Sequence, residues 1–300
     1  MLASVCLLLG GCLTHTRELD IKLSTADVQS ATLADLVERI NHDAQLIKTL
    51  NANVDIAAST GGQKKGKITD YTEISGYLLV REPDMLRVIG LVPVVKSTLF
   101  DLVSDGKSFQ LLIPAKNKVL VGSNKVTKPS ANELQNLRPD AFFDSLLLHE
   151  IGPDEVPYLR VGKQRVRDAK TKKEVEQLNY IVGILRRKTD NSQEWYLSRE
   201  IFFDRVDLQI YKQEVFDELG QTVTDADYLN YAKYEDNIQY PSVIDIKRPI
   251  EEYEIKLTIT KLSVNKSLPD ERFDLRIPPG TIVQKVDEAT PEHEQALAGH

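Results

Sequence analysis

The chain has 300 residues, enough for one large domain or two modest ones, and its composition is that of an ordinary globular protein. The net charge of −7 is spread without a basic stripe, which excludes a typical nucleic-acid-binding surface. The only cysteines, Cys6 and Cys12, lie near the N-terminus, and the five histidines are scattered. We therefore expect no disulfide, no metal site and no cofactor in the body of the protein.

The first twelve residues are typical of an export signal. Residues 2–9 are apolar or small, which is far short of the roughly 20 residues of a transmembrane helix but fits the apolar region of a signal peptide, about 7–15 residues. The following stretch, Leu9-Gly10-Gly11-Cys12, resembles the lipobox of bacterial lipoproteins. One departure is that no Lys or Arg precedes Cys12. The alternative is a chance cysteine after an apolar helix.

The lipobox resemblance implies a lipid anchor. In that family, residues 1–11 would be the signal peptide, and Cys12 would be acylated on its sulfur and on its new amine. Residues 12–31 would then form a flexible tether. Because two acyl signals already hold a protein stably on a bilayer, membrane lipid becomes the first expected partner. Leu13 is not the aspartate that retains lipoproteins at the inner membrane, so we expect an outer-membrane anchor facing the periplasm.

A helix followed by strands is predicted next. Thr32 and Asp35 have the spacing of a capping box, and apolar residues follow at helical spacing to about Leu50. Strand-like runs then alternate with turns, and Asp105-Gly106 predicts a tight hairpin. The predicted strands of this half are 54–58, 68–80, 85–92, 94–103, 109–113 and 119–121.

The second half repeats this order with a shorter helix. Residues 140–151 are very apolar and predict a short helix, and residues 287–300 are polar and small, as in a frayed tail. The strands predicted between them are 158–161, 178–186, 194–203, 206–215, 223–234, 242–246 and 253–262. This order indicates an α+β fold in which helices cover a large antiparallel sheet. A curved sheet of this kind encloses an apolar cavity unless side chains or helices fill it.

Three stretches in order resemble the LolA/LolB-like family, the periplasmic carrier and outer-membrane acceptor of lipoproteins. They are the hairpin 102–114 with Asp105, Gly106 and Pro114, the hairpin 76–87 with a proline at its turn, and the Phe-to-Pro-Pro-Gly stretch 273–280. The resemblance covers roughly residues 30–285 and implies a single domain over 32–286. It also implies a strongly curved, incomplete β-barrel whose helices cover an apolar cavity for acyl chains, with no catalytic group.

The turn of the 76–87 hairpin departs from the carrier of this family, which places an arginine directly before the proline. Here Glu82 precedes Pro83, and Arg81 lies one place earlier, on the opposite face of the strand. The chain therefore differs from the classical carrier, and a lipid anchor would not suit a diffusing carrier either.

Two apolar stretches are candidate functional sites, each with a structural alternative. The lid candidates are Phe142, Phe143, Leu146 and Leu147, which could instead be core side chains that plug the open barrel. The membrane-contact candidates are Leu91, Val92 and Val94, which could instead belong to a buried strand broken at Pro93.

Two charged stretches carry weaker signals. His149 and Glu150 lack the spacing of a protease or hydrolase motif and fit a surface pair. Residues 163–173 hold six basic side chains and fit a solvated hairpin tip, with contact to anionic lipid head groups as the alternative.

The sequence thus predicts a non-enzymatic, lipid-anchored protein of the outer membrane that binds a lipid or the acyl chains of a lipoprotein. A second hypothesis is the same fold acting as an interaction or sensing module with an envelope protein partner, its cavity filled by its own side chains. A third, an envelope hydrolase, lacks any readable nucleophile and base.

Overall fold

The computed structural model describes residues 21–124, 139–168, 170–189, 192–234 and 237–286. The described part is mostly β, with two α-helices, α1 (Leu33–Leu46) and α2 (Asp140–Leu146). The strands are β1 (Lys22–Leu23), β2 (Thr49–Gly62), β3 (Lys67–Asp70), β4 (Ile74–Arg81), β5 (Met85–Leu91), β6 (Thr98–Ser104), β7 (Ser108–Ile113), β8 (Lys118–Ser123), β9 (Glu155–Arg167), β10 (Glu174–Arg187), β11 (Trp195–Asp204), β12 (Ile210–Phe216), β13 (Thr222–Lys233), β14 (Gln239–Arg248), β15 (Tyr253–Val264) and β16 (Ile282–Lys285).

All the described strands join one open sheet. Its order is β1-β10-β11-β12-β13-β14-β15-β2-β4-β5-β6-β7-β8-β16, with β3 paired to β2 and β9 paired to the other side of β10. Every pairing is antiparallel except β1 with β10 and β16 with β8. The predicted large antiparallel sheet is therefore confirmed, and β2 joins its two halves by pairing with both β15 and β4.

Because neighbouring strands run in opposite directions, the turns collect at two ends of the sheet. We call one the cavity end; it carries β1, the start of β2 and the turns β4–β5, β6–β7, β9–β10, β11–β12 and β13–β14. We call the other the tip end; it carries the turns β2–β3, β5–β6, β7–β8, β10–β11, β12–β13 and β14–β15.

The sheet curves around a single large core. Alternate side chains of β2, from Leu50 to Ile56, face the same side, as the two-residue period of a strand requires. They share one apolar cluster with side chains from β4–β8, β10–β15 and both helices. Side chains from such distant strands can meet only if the sheet is bent, and each fully buried Leu, Ile or Phe contributes about 1.5–3 kcal/mol to folding.

Helix α1 begins at the predicted capping box. The Asp35 N–H donates to the Thr32 hydroxyl and the Thr32 N–H donates to the Asp35 carboxylate, which satisfies two free donors of the first turn. Leu36, Ile40 and Ala44 are buried, and the helix packs against β9 and β10. It ends at Leu46, earlier than predicted, because the chain becomes extended at Ile47 and starts β2 two residues later.

A second, smaller apolar cluster lies on the convex face. Leu79 and Met85 point away from the main core and are covered by Leu268 and Phe273 of the segment that follows β15. The chain then continues to β16, which pairs with β8 at the far edge. The C-terminal segment therefore crosses the back of β4 to β8.

Several strand boundaries differ from the predicted ones. The run 68–80 is two strands, β3 and β4, separated by three residues without regular structure. Strand β9 covers thirteen residues where four were predicted, because its pairing with β10 continues through a polar, basic stretch. Strand β6 starts at Thr98, since residues 92–97 form a turn.

Candidate functional site: a cavity beside the two helices

A cavity of about 450 Å³ opens at the cavity end of the sheet. This volume is within the range of small-molecule pockets, about 300–1,000 Å³. Helix α1 forms one wall, the end of α2 and residues 147–148 a second, and the strands β12–β14 the floor. The lining residues are Arg39, Asp43, Leu46, Ile47, Ser145, Leu146, Leu147, Leu148, Gln209, Ile210, Tyr228, Tyr231, Lys233, Asn237, Ile238, Gln239, Tyr240 and Pro241.

Three tyrosines form the floor of this cavity. The hydroxyl of Tyr240 donates to the carbonyl oxygen of Leu146 over 2.6 Å, and that of Tyr231 donates to the carbonyl of Ile210 over the same distance. Burial raises the pKa of Tyr228, Tyr231 and Tyr240 above the ordinary tyrosine value. The floor is therefore neutral at physiological pH and presents aromatic rings to an occupant.

The wall formed by α1 carries an ion pair. Arg39 and Asp43 lie one helical turn apart, with 3.9 Å between the Arg39 Nε and an Asp43 carboxylate oxygen. Burial raises the pKa of Asp43, because the loss of water destabilises the charged carboxylate more than the nearby Arg39 stabilises it. The Nε of Arg39 is buried and has no hydrogen-bond partner among the described residues. The cavity therefore has neutral, buried tyrosines on its floor and an ion pair on its α1 wall.

The four lid candidates lie in the core. Phe142, Phe143, Leu146 and Leu147 are each at least 93% buried and belong to the main apolar cluster. Only Leu146 and Leu147 line the cavity, while Phe143 stacks on the ring of His149 with 5.8 Å between ring centres. In this conformation α2 fills the concave face beside the cavity.

The Asp105-Gly106 turn of the predicted hairpin lies beside a smaller cavity of about 170 Å³ next to α2, which Gly106 lines. One carboxylate oxygen of Asp105 accepts the N–H groups of Lys107 and Ser108, and these bonds lower the pKa of Asp105. Gly106 has φ +81°, and a Cβ there would approach the Cβ of Asp84 to 2.3 Å. Pro114 begins a 3₁₀ turn between β7 and β8. Asp105 and Gly106 therefore form a tight structural turn, whereas Pro114 lies at the other end of β7.

The membrane-contact candidates lie at the tip end, away from the cavity mouth. Leu91 ends β5, and Val92 closes a turn by accepting the Lys96 N–H and donating to the Ser97 carbonyl. Val94 has φ +67° and is 94% exposed, and Val95 is 73% exposed. The turn thus presents two valine side chains to the surroundings, Val94 in a left-handed conformation that disfavours a β-branched residue.

Arg81 lies on the convex face, as its strand position predicts. It donates to the Leu268 carbonyl, pairs with Asp270 at 2.6 Å and stacks on the ring of Phe273. Arg87 similarly binds Asp101 and the carbonyl of Arg272. Both arginines fasten the C-terminal segment to the back of the sheet.

A buried polar group on the concave face was missed from the sequence. Arg199, buried in β11, pairs with Glu155 at 3.1 Å and donates to the carbonyls of His149 and Glu150. Glu155 also binds Arg186, and the two arginines hold the pKa of this carboxyl below its ordinary value despite its desolvation. The only sequence signal is the polar triplet 198–200 inside the apolar strand 195–204.

Some predicted features lie outside the described residues. They are the lipobox Leu9, Gly10, Gly11 and Cys12, the tether up to residue 20, and the tail 287–300. The rest of the predicted tether, residues 21–31, is described, and Lys22–Leu23 form β1 of the sheet. Among the described residues, no helix is long and apolar enough to cross a membrane. In the same part of the chain, no group of His, Cys, Asp and Glu is arranged to hold a metal ion.

Comparison with known proteins identifies the fold. No protein-family model and no curated protein sequence matches the chain. Among solved structures, it is similar to a LolA superfamily protein from Nitrosomonas europaea, with TM-score 0.50 and 12% identity over 82% of this chain and 99% of that one. A DUF1329 family protein from Desulfovibrio piger aligns with TM-score 0.51 and 16% identity over 81% of this chain and 95% of that one. The curved open sheet described above is therefore a LolA/LolB-like fold.

Proposed function

We propose that this chain is a lipid-anchored protein of the outer membrane that faces the periplasm and binds a lipid, or the acyl chains of a lipoprotein, in its cavity. The observation that carries the proposal is the cavity of about 450 Å³ between the helices and β12–β14. The LolA/LolB-like fold supports it, because the resemblance of the hairpin motifs to that family implies a cavity for acyl chains on this fold.

The lining suits an acyl chain with a polar end. Methylene groups offer no hydrogen bonds, so their affinity comes from burial against Leu146, Ile210 and the tyrosine rings, at about 0.8 kcal/mol per CH₂. The polar head would lie near Lys233 and the Arg39–Asp43 pair, where side chains can hydrogen-bond it. Such binding needs no catalytic group, and we propose that the protein is not an enzyme.

The test measures binding of a fluorescent fatty acid and the lipid retained after purification. We would use the chain from Leu13 onward, which keeps every described residue, and native mass spectrometry for the retained lipid. We expect one bound acyl chain per protein and an affinity that rises about fourfold per added CH₂ until the cavity is full.

A variant at the mouth makes the test specific. Gln239 lines the cavity and is exposed, so Gln239→Trp should block entry and weaken probe binding at least tenfold. Gln221→Trp places the same ring on an exposed turn at the tip end and should bind as the unchanged protein does. Equal binding by both variants, or no retained lipid in any of them, would exclude this cavity as the site.

A second candidate function is an interaction or sensing module with an envelope protein partner. The burial of Phe142, Phe143, Leu146 and Leu147 favours it, because these side chains already occupy the space on the concave face that a larger ligand would need. Recovery of one stoichiometric protein partner from membrane extracts, together with an empty cavity by mass spectrometry, would support this function over lipid binding.

A further inference from the structure

The turn between β9 and β10 extends beyond the rest of the sheet as a two-stranded arm. Strand β10 pairs with β9 from Glu174 onward, but its pairing with β11 starts only at Asn179. Residues 163–178 therefore project past the end of β11, and we call them the basic arm. In the described part of the sheet, only β1 lies beside these residues. Its Lys22 and Leu23 pair with Val175 and Glu176 of β10.

The basic arm carries positive charge on an acidic protein. Its acidic residues number three, Asp168, Glu174 and Glu176, against six basic ones, which gives a net charge of +3 where the whole chain has −7. The basic residues are Lys163, Arg165, Arg167, Lys170, Lys172 and Lys173, and all six are exposed.

Most of these cations are available to a partner. Lys163 pairs with Glu176 at 2.9 Å, and Arg167 donates to the backbone of Lys172. No carboxylate among the described residues lies within ion-pair distance of Arg165, Lys172 or Lys173. The carboxylate of Asp168 is used to close the turn, where it accepts the N–H groups of Lys170 and Thr171.

The arm lies beside the point where the N-terminal segment joins the sheet. Cys12 and Lys22 are ten residues apart, so the chain between them spans at most about 36 Å. A bilayer that holds the acylated Cys12 is therefore close to β1 and to the arm. The turns of β11–β12 and β13–β14, which border the cavity mouth, lie at the same end of the sheet.

We propose that the basic arm docks on the anionic lipid head groups of the membrane that anchors the chain. The docked protein then stands on its cavity end, with the cavity mouth toward the bilayer and the Val94–Val95 turn pointing away from it. The lipid anchor is part of the proposed function, whereas the docking surface rests on the charge and position of the arm.

The test is sedimentation of the chain from Leu13 onward with vesicles of phosphatidylcholine, alone or mixed with phosphatidylglycerol. We expect binding to the mixed vesicles only, and weakening as salt is added. Each basic side chain near an anionic surface contributes about fivefold to binding. Replacing Arg165, Lys172 and Lys173 with glutamine should therefore weaken binding about a hundredfold.

Two matched variants separate this surface from others. The first replaces three exposed lysines away from the arm, Lys67, Lys116 and Lys256, with glutamine. It removes the same charge and should change binding less than threefold. Val94→Ser with Val95→Ser should also leave binding unchanged. Each variant is first shown to melt at the temperature of the unchanged protein, so that a loss of binding is not a loss of fold.

Three results would overturn the proposal. They are equal binding to both kinds of vesicle, loss of binding in the serine variant but not in the arm variant, and release by inorganic phosphate at an ionic strength where chloride releases nothing. The last result would identify a free-phosphate site instead of a membrane surface. Lipid retention is measured separately, so the docking surface can fail while the proposed function stands, and the reverse.

Discussion

Replacing Tyr240 with phenylalanine should free helix α2 from the floor of the cavity. The Tyr240 hydroxyl donates to the Leu146 carbonyl at the end of α2, and both groups are buried. Without the hydroxyl, that buried carbonyl has lost its hydrogen-bond donor, which costs about 1–3 kcal/mol. We expect the free energy of unfolding to fall by this amount.

Tyr231→Phe is the matched control. Its hydroxyl donates to the Ile210 carbonyl over the same 2.6 Å, but Ile210 belongs to β12 and not to α2. This change should cost about 0.5–1.5 kcal/mol, since the site is only partly buried. The two variants therefore remove the same kind of bond from the same cavity, and only one of them acts on the helix.

The assay combines urea unfolding with hydrogen exchange of the backbone. In Tyr240→Phe we expect the amides of α2 to exchange faster by a factor of about five or more, while those of β2 and β15 change only with global stability. In Tyr231→Phe the amides of α2 should follow global stability as well. If both variants change α2 exchange equally, the Tyr240 bond does not hold the helix, and the reasoning is refuted.

Three further predictions concern other parts of the chain. Thr32→Ala should lower the free energy of unfolding by about 1 kcal/mol through loss of the capping box, as measured by urea unfolding against Thr69→Ala, an exposed strand position. Burial and the nearby Asp245 raise the pKa of Glu254, so native protein takes up this proton first and gains stability as pH falls through the raised pKa. Glu254→Gln should therefore stabilise the protein slightly at neutral pH, and the difference should shrink in acid; a constant difference across pH in urea unfolding would contradict this. Cys12→Ser should release the protein from membranes in cell fractionation, and continued membrane attachment would argue against the lipid anchor.

Local signals were strong enough to predict individual elements. The capping box of Thr32 and Asp35 marks the start of α1 because both hydrogen bonds are made within one turn of the chain. The Asp105-Gly106 turn is likewise local, since a positive φ and an Asp side chain that accepts nearby N–H groups suffice to form it. The curvature of the sheet could be expected only from the family resemblance, because no local sequence pattern encodes it.

Features that depend on distant partners could not be predicted. Arg199 is charged and would be assigned to the surface, but Glu155, more than forty residues away, neutralises it inside the sheet. The apolar residues of α2 have the same pattern whether they plug the core or cover a ligand. The basic arm looks polar enough for a loop, and its strands are stabilised by pairing between β9 and β10 along their whole length.

The position of β2 has a consequence for how the protein acquires its fold. It pairs with β4 on one side and with β15 on the other, and Thr60 lies opposite Tyr253 in that second pairing. The chain between Thr60 and Tyr253 must therefore close as one long loop before this pairing forms. That closure has an entropic cost, which slows folding. The strands β4–β8 and β10–β15 can each assemble from neighbours, but the seam between β2 and β15 requires almost the whole chain. A nascent chain that lacks β15 therefore cannot close its central seam, and the two halves of the sheet can join only when synthesis has passed residue 264.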